Sequence, residues 1–229
     1  MRLHGEGIAA SVLNNAAIDL IGSGTLPQHQ LDLQLRDGDK RLDLDLRGAL
    51  QQIKSQYRWQ TNLQRLSLNS RVSGPWQLIG NSDLALAANA VSLSRLCLGQ
   101  DDTRVCSELV LKDGAIRASG LIDALPLERF AAGLPSGSAI TGQINSQFSV
   151  AGKSDDLSGN ITIDSEDILI RYQNSADQNA AEYRASFTSR AELEHNRLRG
   201  NTLFSIDDIG SIAANITTQG LSASSDIQG

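Results

Sequence analysis

Leucine and polar residues alternate strictly in two neighbouring segments of the chain. Residues 30–36 read QLDLQLR and residues 41–47 read RLDLDLR, so three leucines fall on one side of each segment. The intervening residues 37–40 read DGDK, a composition typical of a tight turn. Because successive side chains of a β-strand point to opposite faces, the pattern predicts an antiparallel hairpin with one leucine face.

The same alternation recurs along most of the chain. Aliphatic residues take alternate positions, with turn-forming residues about every 8–14 positions, around residues 66–68, 84–86, 109–118, 140–150, 157–172 and 183–217. These signals predict an all-β protein, a long antiparallel meander that runs through residues 1–229 as one elongated segment. No run approaches the ~18 consecutive apolar residues of a membrane-spanning helix.

One segment, residues 123–135, breaks the alternation. Pro126 suits the first turn of a helix, and Gly133 with Pro135 suits its end. Leu127, Phe130 and Leu134 would fall on one side of that helix. We therefore expect a short helix over residues 123–135 that covers the mouth or an edge of the sheet.

Cys97 and Cys106 flank a turn-like stretch that contains Asp101 and Asp102. In an oxidising compartment the two thiols would close a hairpin, and the loop-entropy model gives roughly 2.5–3 kcal/mol for a ring of about ten residues. Two ordinary buried thiols would fit the same pattern. The residues alone leave both interpretations open.

Composition excludes several classes of function. The net charge is −6 and the charges are interleaved without a basic stripe, so nucleic acid is a poor partner. Aromatic residues make up 4% of the chain, fewer than enzyme pockets or recognition interfaces favour. The three histidines are scattered and no CxxC motif occurs, so we expect no metal site. No nucleophile motif is present, and we expect neither an enzyme nor a cofactor.

An extended sheet must hide an aliphatic face from water. It can pack on a second sheet as a sandwich, close into a barrel, or curl into a trough that holds an apolar ligand. Alternation does not choose among the three. The few aromatic residues favour the trough, because sandwich cores commonly use aromatic fillers.

Five sequence features follow one another in an order that resembles a known family. They are the leucine hairpins leading to Trp59 and to GPWQL at 74–78, the cysteine pair, LPLERF at 125–130 ahead of LP at 134–135, ITGQI at 140–144, and a tail with VAG at 150–152 and LSG at 157–159. In this order they resemble the TamB family of AsmA-like envelope proteins. The resemblance covers roughly residues 30–170.

The resemblance implies a β-sheet curled into an open groove, a "β-taco", that spans the periplasm of a Gram-negative bacterium. It implies an inner-membrane anchor elsewhere in a larger protein and the outer-membrane barrel TamA as a partner. It favours a disulfide between Cys97 and Cys106. Residues 1–7 lack the apolar stretch of a signal peptide, so we expect the chain to be a segment of a longer protein.

The function that the resemblance implies is phospholipid transfer between the two membranes, with acyl chains carried on the apolar face. The residues predicted to line the groove are the aliphatic ones that alternate most clearly: Leu31, Leu33, Leu35, Leu42, Leu44, Leu46, Leu84, Leu86, Ile161, Ile163, Ile168 and Ile170. Ordinary sheet core is the alternative role for each of them. A second hypothesis is a scaffold whose strand edges template outer-membrane barrels and autotransporters. A closed, ligand-free sandwich is a third.

Overall fold

A computed structural model shows an all-β protein, as the alternation predicts. The structure describes residues 1–10, 13–53, 55–71, 73–172 and 181–218. Within them lie sixteen strands and one 3-10 helix, Leu127–Gly133. The strands are β1 (Arg2–Ala10), β2 (Leu13–Thr25), β3 (Gln28–Asp37), β4 (Lys40–Ile53), β5 (Gln56–Ser70), β6 (Gly74–Leu78), β7 (Ser82–Ala87), β8 (Ala90–Gln100), β9 (Thr103–Lys112), β10 (Ala115–Pro126), β11 (Ser138–Thr141), β12 (Gln143–Lys153), β13 (Asp156–Tyr172), β14 (Ala181–Glu194), β15 (Arg197–Ile206) and β16 (Gly210–Thr217).

The strands form a single antiparallel sheet in which most of them pair with their neighbours in sequence. The departures from simple succession are β7, which pairs with β5 and β8, and β11, which pairs with β13. The predicted meander is thus confirmed. By internal contacts the chain divides into a first unit, residues 1–101 and 105–113, and a second unit, residues 102–104 and 114–229.

The predicted leucine hairpin is confirmed as strands β3 and β4. Leu33 stands opposite Leu44 in the register, and the leucines on either side are matched in the same way. The connecting turn contains Gly38 at φ +62°, a left-handed backbone conformation that glycine adopts without steric cost. The alternation of leucines on both strands and the glycine in the turn therefore favour one and the same pairing of β3 with β4.

Irregular pairing keeps apolar side chains on one face at places where the sequence spacing is three instead of two. In β5, Leu63 and Leu66 are three residues apart but stand opposite Leu46 and Leu44, which are two apart. The extra residue is a β-bulge, which shifts the alternation by one position. The same shift occurs in β10 between Ile122 and Leu125 and in β13 between Ser165 and Ile168.

The helix expected over residues 123–135 is present in a shorter form. It is a 3-10 helix, Leu127–Gly133, and residues 123–126 belong to β10. Strand pairing prevails there because Leu125 and Pro126 are in register with β12, while the Ala124 N–H donates to Asn145 Oδ1 at 3.0 Å. The prediction placed the start of the helix too early.

Leu127, at the beginning of the 3-10 helix, belongs to the packed core of the second unit. Its side chain is 8% exposed and forms a buried cluster with Ile168 and Ala185. Partly buried side chains surround this cluster, namely Ile140, Ile144, Ile170, Phe187, Phe204 and Ile206. The helix therefore packs through Leu127 on the sheet, whereas Phe130 is 54% exposed.

In the portion of the chain that the structure describes, no helix has both the length and the apolar character needed to cross a membrane.

A disulfide joins Cys97 of β8 to Cys106 of β9, with an S–S distance of 2.08 Å. The cysteine pairing favoured by the family resemblance is thus confirmed. The Cys106 side chain is buried, and the carbonyl of Cys97 accepts a hydrogen bond from the Ile79 N–H at 2.8 Å. The disulfide therefore links β9 to β8, and β8 is in turn paired with β6 in the first unit.

Removing this disulfide is expected to destabilise the first unit. The Cys97→Ser, Cys106→Ser double variant should lose roughly 2.5–3 kcal/mol of unfolding free energy, because opening a ring of about ten residues restores entropy to the unfolded chain. Urea unfolding followed by tryptophan fluorescence measures this loss, since Trp59 and Trp76 both lie in the first unit. A reductant should shift the transition of the wild type but leave that of the double variant in place. Equal stability of both proteins in oxidising buffer would contradict the expectation.

Candidate functional site: an aliphatic face of the sheet

Eight of the predicted lining residues lie on one face of the first unit. We call this set the leucine wall, and its members are Leu31, Leu33, Leu35, Leu42, Leu44, Leu46, Leu84 and Leu86. The leucines of β3 stand directly opposite those of β4. Leu84 and Leu86 reach the same face through β5, where they are opposite Thr61 and Trp59. Because paired residues share a face, the register joins these leucines into one surface.

The rows of the leucine wall continue into strands whose residues the sequence did not single out as lining. Leu44 is opposite Leu66 in β5, and Leu33 is opposite Leu20 in β2. Leu20 in turn is opposite Leu3 in β1. An aliphatic row thus crosses five successive strands of the first unit. This continuity follows from the register between the strands, and the sequence of a single strand does not show which residues will stand opposite it.

The opposite face of the same strands is polar. Gln34 lies between Asp19 and Asp43, and Asp19 accepts a hydrogen bond from His4 at 2.8 Å. That hydrogen bond, a second one that His4 donates to the Glu6 carboxylate and the charge of Asp19 together raise the pKa of His4 above its ordinary value. The contrast between the two faces shows that the aliphatic residues are segregated on one side of the sheet.

The leucine wall is only partly covered. None of its eight leucines is fully buried, and the buried hydrophobic residues of the first unit, among those described, are Ala16, Leu63 and Cys106. Inward-facing aliphatic residues of a closed β-sandwich interdigitate with a second sheet and lose most of their accessible surface. The wall therefore retains apolar surface that can contact a ligand.

The four isoleucines predicted in the second unit also share one face, but their surroundings differ. Ile161 and Ile163 precede the bulge of β13, whereas Ile168 and Ile170 follow it, and the bulge restores the same orientation. Ile161 is 37% exposed, whereas Ile168 is 5% exposed because it packs against Leu127. Ile168 thus belongs to the packed core and offers little surface to a ligand.

Both tryptophans of the chain lie on the face of the leucine wall. Trp59 is opposite Leu50 and Leu86, and Trp76 is opposite Leu68. Trp59 Nε1 donates to His29 Nε2 at 2.8 Å, and the two ring planes are 11° from parallel with centroids 6.2 Å apart. Trp76 Nε1 donates to the carbonyl of Ser73 at 3.1 Å. Each indole therefore has its polar edge satisfied and its apolar body on the wall.

The second unit has a depression of about 850 Å³ with a different character. Its lining is dominated by carboxylates and amides, including Glu128, Asn145, Asp164 and Asp167. Asn145 is held in place by the Ala124 N–H and by Asp164, to which its amide donates at 3.5 Å. Such a polar lining does not suit an acyl chain, so this depression is separate from the aliphatic site.

Comparison with protein families finds a match to the model described as "TamB, N-terminal domain", and the match covers residues 1–229. The chain belongs to the TamB family. Comparison with curated proteins and with solved structures finds no match. The family match extends over the whole chain, beyond the residues 30–170 that carry the resemblance in the sequence.

Membership of the TamB family fits a role in the translocation and assembly module of the cell envelope. It is consistent with a place in the periplasm and, in general terms, with TamA as a partner. Among the described residues, the aliphatic face of the sheet is the surface on which such a role can be tested. Its leucines and the two tryptophans are therefore the candidate functional residues of this chain.

Proposed function

We propose that this chain conducts phospholipid through the periplasm, with acyl chains lying on the leucine wall and on the exposed part of the isoleucine face of the second unit. The observation that carries the proposal is the row of matched leucines around Leu33 and Leu44, whose side chains share one face and stay partly exposed. The polar face behind them supplies solubility in water.

The energetic case rests on the cost of exposing acyl chains to water. Two chains contain about 30 methylenes, so at ~0.8 kcal/mol each their complete exposure costs about 24 kcal/mol. A continuous aliphatic surface lowers this barrier without a chemical step. No catalytic residue, metal or cofactor enters the proposed mechanism.

A transfer surface also has to release its cargo. Strong polar contacts in the middle of the path would trap a lipid, whereas dispersion contacts with leucine side chains are individually weak. The central rows, Leu31 with Leu46 and Leu33 with Leu44, are aliphatic on both strands. Lipid on these rows would therefore meet similar contacts from one pair of strands to the next.

Two further parts of the proposal rest on family membership. The chain would act in the periplasm as part of a protein that the inner membrane anchors, and TamA would be its partner at the outer membrane. We propose in addition that the sheet curves into a groove, which would shield the acyl chains from water while the headgroups stay in solvent.

The test of this function is native mass spectrometry of the purified chain, combined with extraction and identification of bound lipid. We expect phospholipid to copurify at a reproducible ratio to protein, because the wall leaves apolar surface exposed to a ligand. The sample is prepared from an envelope fraction and washed with lipid-free buffer to remove loosely bound material. A stable, monomeric and lipid-free chain would contradict the proposal, since it would mean that the aliphatic face is closed on itself.

A further inference from the structure

The two ends of the leucine wall differ in polarity. Along β4 the face that carries the leucine wall runs from Leu42, close to the hairpin turn, past Leu46 to Leu50, eight residues beyond Leu42. We call the end beyond Leu42 the charged end, and the end at Leu50 and Trp59 the apolar end. Both ends lie within the first unit, on the same face of the sheet.

The charged end carries ionic groups on the face of the wall itself. Asp37 and Lys40 stand opposite each other, with Lys40 Nζ 3.5 Å from Asp37 Oδ2. In the turn beyond them, Asp39 Oδ2 accepts a hydrogen bond from the N–H of Arg71 at 2.8 Å, and the Arg71 side chain is exposed. Positive and negative groups are thus present side by side, as they are in a zwitterionic lipid headgroup.

The apolar end carries no comparable ion pair among the residues that the structure describes. Leu26 is 69% exposed and Tyr57 is 59% exposed, and the Leu50 N–H donates to the Leu26 carbonyl at 2.7 Å. His29 Nε2 accepts the hydrogen bond from Trp59 Nε1, and His29 Nδ1 lies 3.1 Å from the Leu26 carbonyl oxygen. This end therefore extends the aliphatic surface with Leu50 and with aromatic side chains.

The face of the leucine wall is longer than the hydrocarbon part of one lipid leaflet laid parallel to the strands. Eight residues from Leu42 to Leu50 span about 26 Å at ~3.3 Å per residue. The hydrocarbon part of one leaflet is about 15 Å thick, half of the ~30 Å bilayer core. An acyl chain whose ester end lies at the charged end can therefore extend over the aliphatic rows from Leu42 to Leu46. Its methyl end then points toward the row of Gly48 and, beyond that row, toward Trp59.

The tryptophans mark the boundaries of that span. Indole side chains are enriched where an apolar medium meets water, because they combine an apolar body with a polar N–H. Trp76 lies at the charged end, opposite Leu68, and its N–H is bonded to Ser73. Trp59 lies at the apolar end, where its N–H is bonded to His29 and kept away from the acyl surface.

We propose that a phospholipid on the leucine wall is oriented, with its zwitterionic headgroup at the charged end near Lys40 and Arg71 and its acyl methyl ends toward Trp59. This inference rests on the proposed lipid function and adds the direction in which the lipid lies. Trp76 then lies beside the ester region of the acyl chains, and Trp59 lies nearer to their methyl ends than to their esters.

Quenching of tryptophan fluorescence by brominated lipid tests the orientation. The probe is phosphatidylcholine with bromine on one acyl chain, placed either near the ester or near the methyl end, and supplied as vesicles to the purified 229-residue chain. The Trp59→Phe variant leaves only Trp76, and the Trp76→Phe variant leaves only Trp59. We expect bromine near the ester to cause the larger loss of emission from Trp76, and bromine near the methyl end the larger loss from Trp59.

The possible outcomes separate this inference from the proposed function. Equal quenching of both tryptophans by both probes, or the reverse preference, would overturn the orientation even if lipid copurifies with the chain. Copurifying lipid without quenching of either tryptophan would also overturn it, because the lipid would then lie away from this wall. Absence of both lipid and quenching would remove the proposed function together with the inference. Circular dichroism of each variant establishes that the sheet is retained.

Discussion

The Leu44→Arg substitution is expected to lower the affinity of the chain for phospholipid about 100-fold. Leu44 lies in the central row of the leucine wall, between Leu33 and Leu66. A charged side chain in contact with acyl chains costs about 2.5–3.5 kcal/mol on insertion scales, and about 2.7 kcal/mol corresponds to a factor of 100 in binding. Native mass spectrometry of the variant, prepared in parallel with the wild type, measures the loss of bound lipid.

The matched control is Gln34→Arg, which adds the same side chain to the opposite face. Gln34 stands between Asp19 and Asp43, so an arginine there meets two carboxylates, which offset its repulsion from the Arg36 guanidinium that now donates to Gln34 Oε1 at 3.2 Å. We expect this variant to keep its full complement of phospholipid. Equal loss of lipid from both variants would indicate a general effect of added positive charge. Retention of lipid by Leu44→Arg would place the lipid elsewhere.

The same pair of variants distinguishes lipid transfer from strand templating. An arginine at position 44 changes a side chain on the face of the sheet and leaves the backbone hydrogen-bonding groups of edge strands intact. If the chain served mainly as a template for barrel strands, Leu44→Arg would reduce bound lipid without impairing outer-membrane protein assembly in cells. Loss of both would connect assembly to the lipid function.

Much of the first unit follows from its sequence. Strict alternation in β3 and β4, with a turn that contains Gly38, determines both the strands and their register. The leucine face is predictable for the same reason, since a shift of one residue would turn every leucine toward the polar side. Local signals thus suffice wherever strands alternate without interruption.

Bulges are the part of the fold that simple alternation misses. Ile163 and Ile168 are five residues apart, so a regular strand would place them on opposite faces, yet the extra residue near Glu166 brings them to the same one. The signal is a spacing of three between residues that share a face, as in Leu63 and Leu66. A sequence shows this spacing, but only the partner strand shows that it is a bulge and not the end of a strand.

The roles of single side chains were less predictable. Ile168 has the same sequence signature as Ile161, but Leu127 of the 3-10 helix covers it. The tryptophans gave no site signal in the sequence, because their position depends on strands that pair across the hairpins. The burial of Ile168 and the location of the tryptophans at the two ends of the leucine wall depend on contacts between segments that are distant in sequence.

The Gly142→Ala substitution is expected to disrupt the packing beneath the 3-10 helix. Gly142 has φ +137°, a conformation essentially restricted to glycine, and its carbonyl accepts the Leu127 N–H at 2.9 Å. A Cβ atom there would lie 2.8 Å from the Asp167 carbonyl oxygen and 3.2 Å from Leu127 Cδ1. Backbone strain and displacement of these neighbours together should cost roughly 3 kcal/mol.

The loss should be local to the core of the second unit, because the displaced groups surround Ile168 and Leu127. Hydrogen exchange of the amides in β13 and β14 next to Ile168 and Ala185 should become about 100-fold faster, as a loss near 3 kcal/mol in opening free energy requires. Gly133→Ala, at the end of the 3-10 helix, is the matched control, since a Cβ at that position meets nothing within 4 Å. Unchanged exchange in Gly142→Ala would show that the helix does not secure this core. Equal acceleration in both variants would instead show that the effect does not depend on the close contacts that the added methyl group meets at position 142.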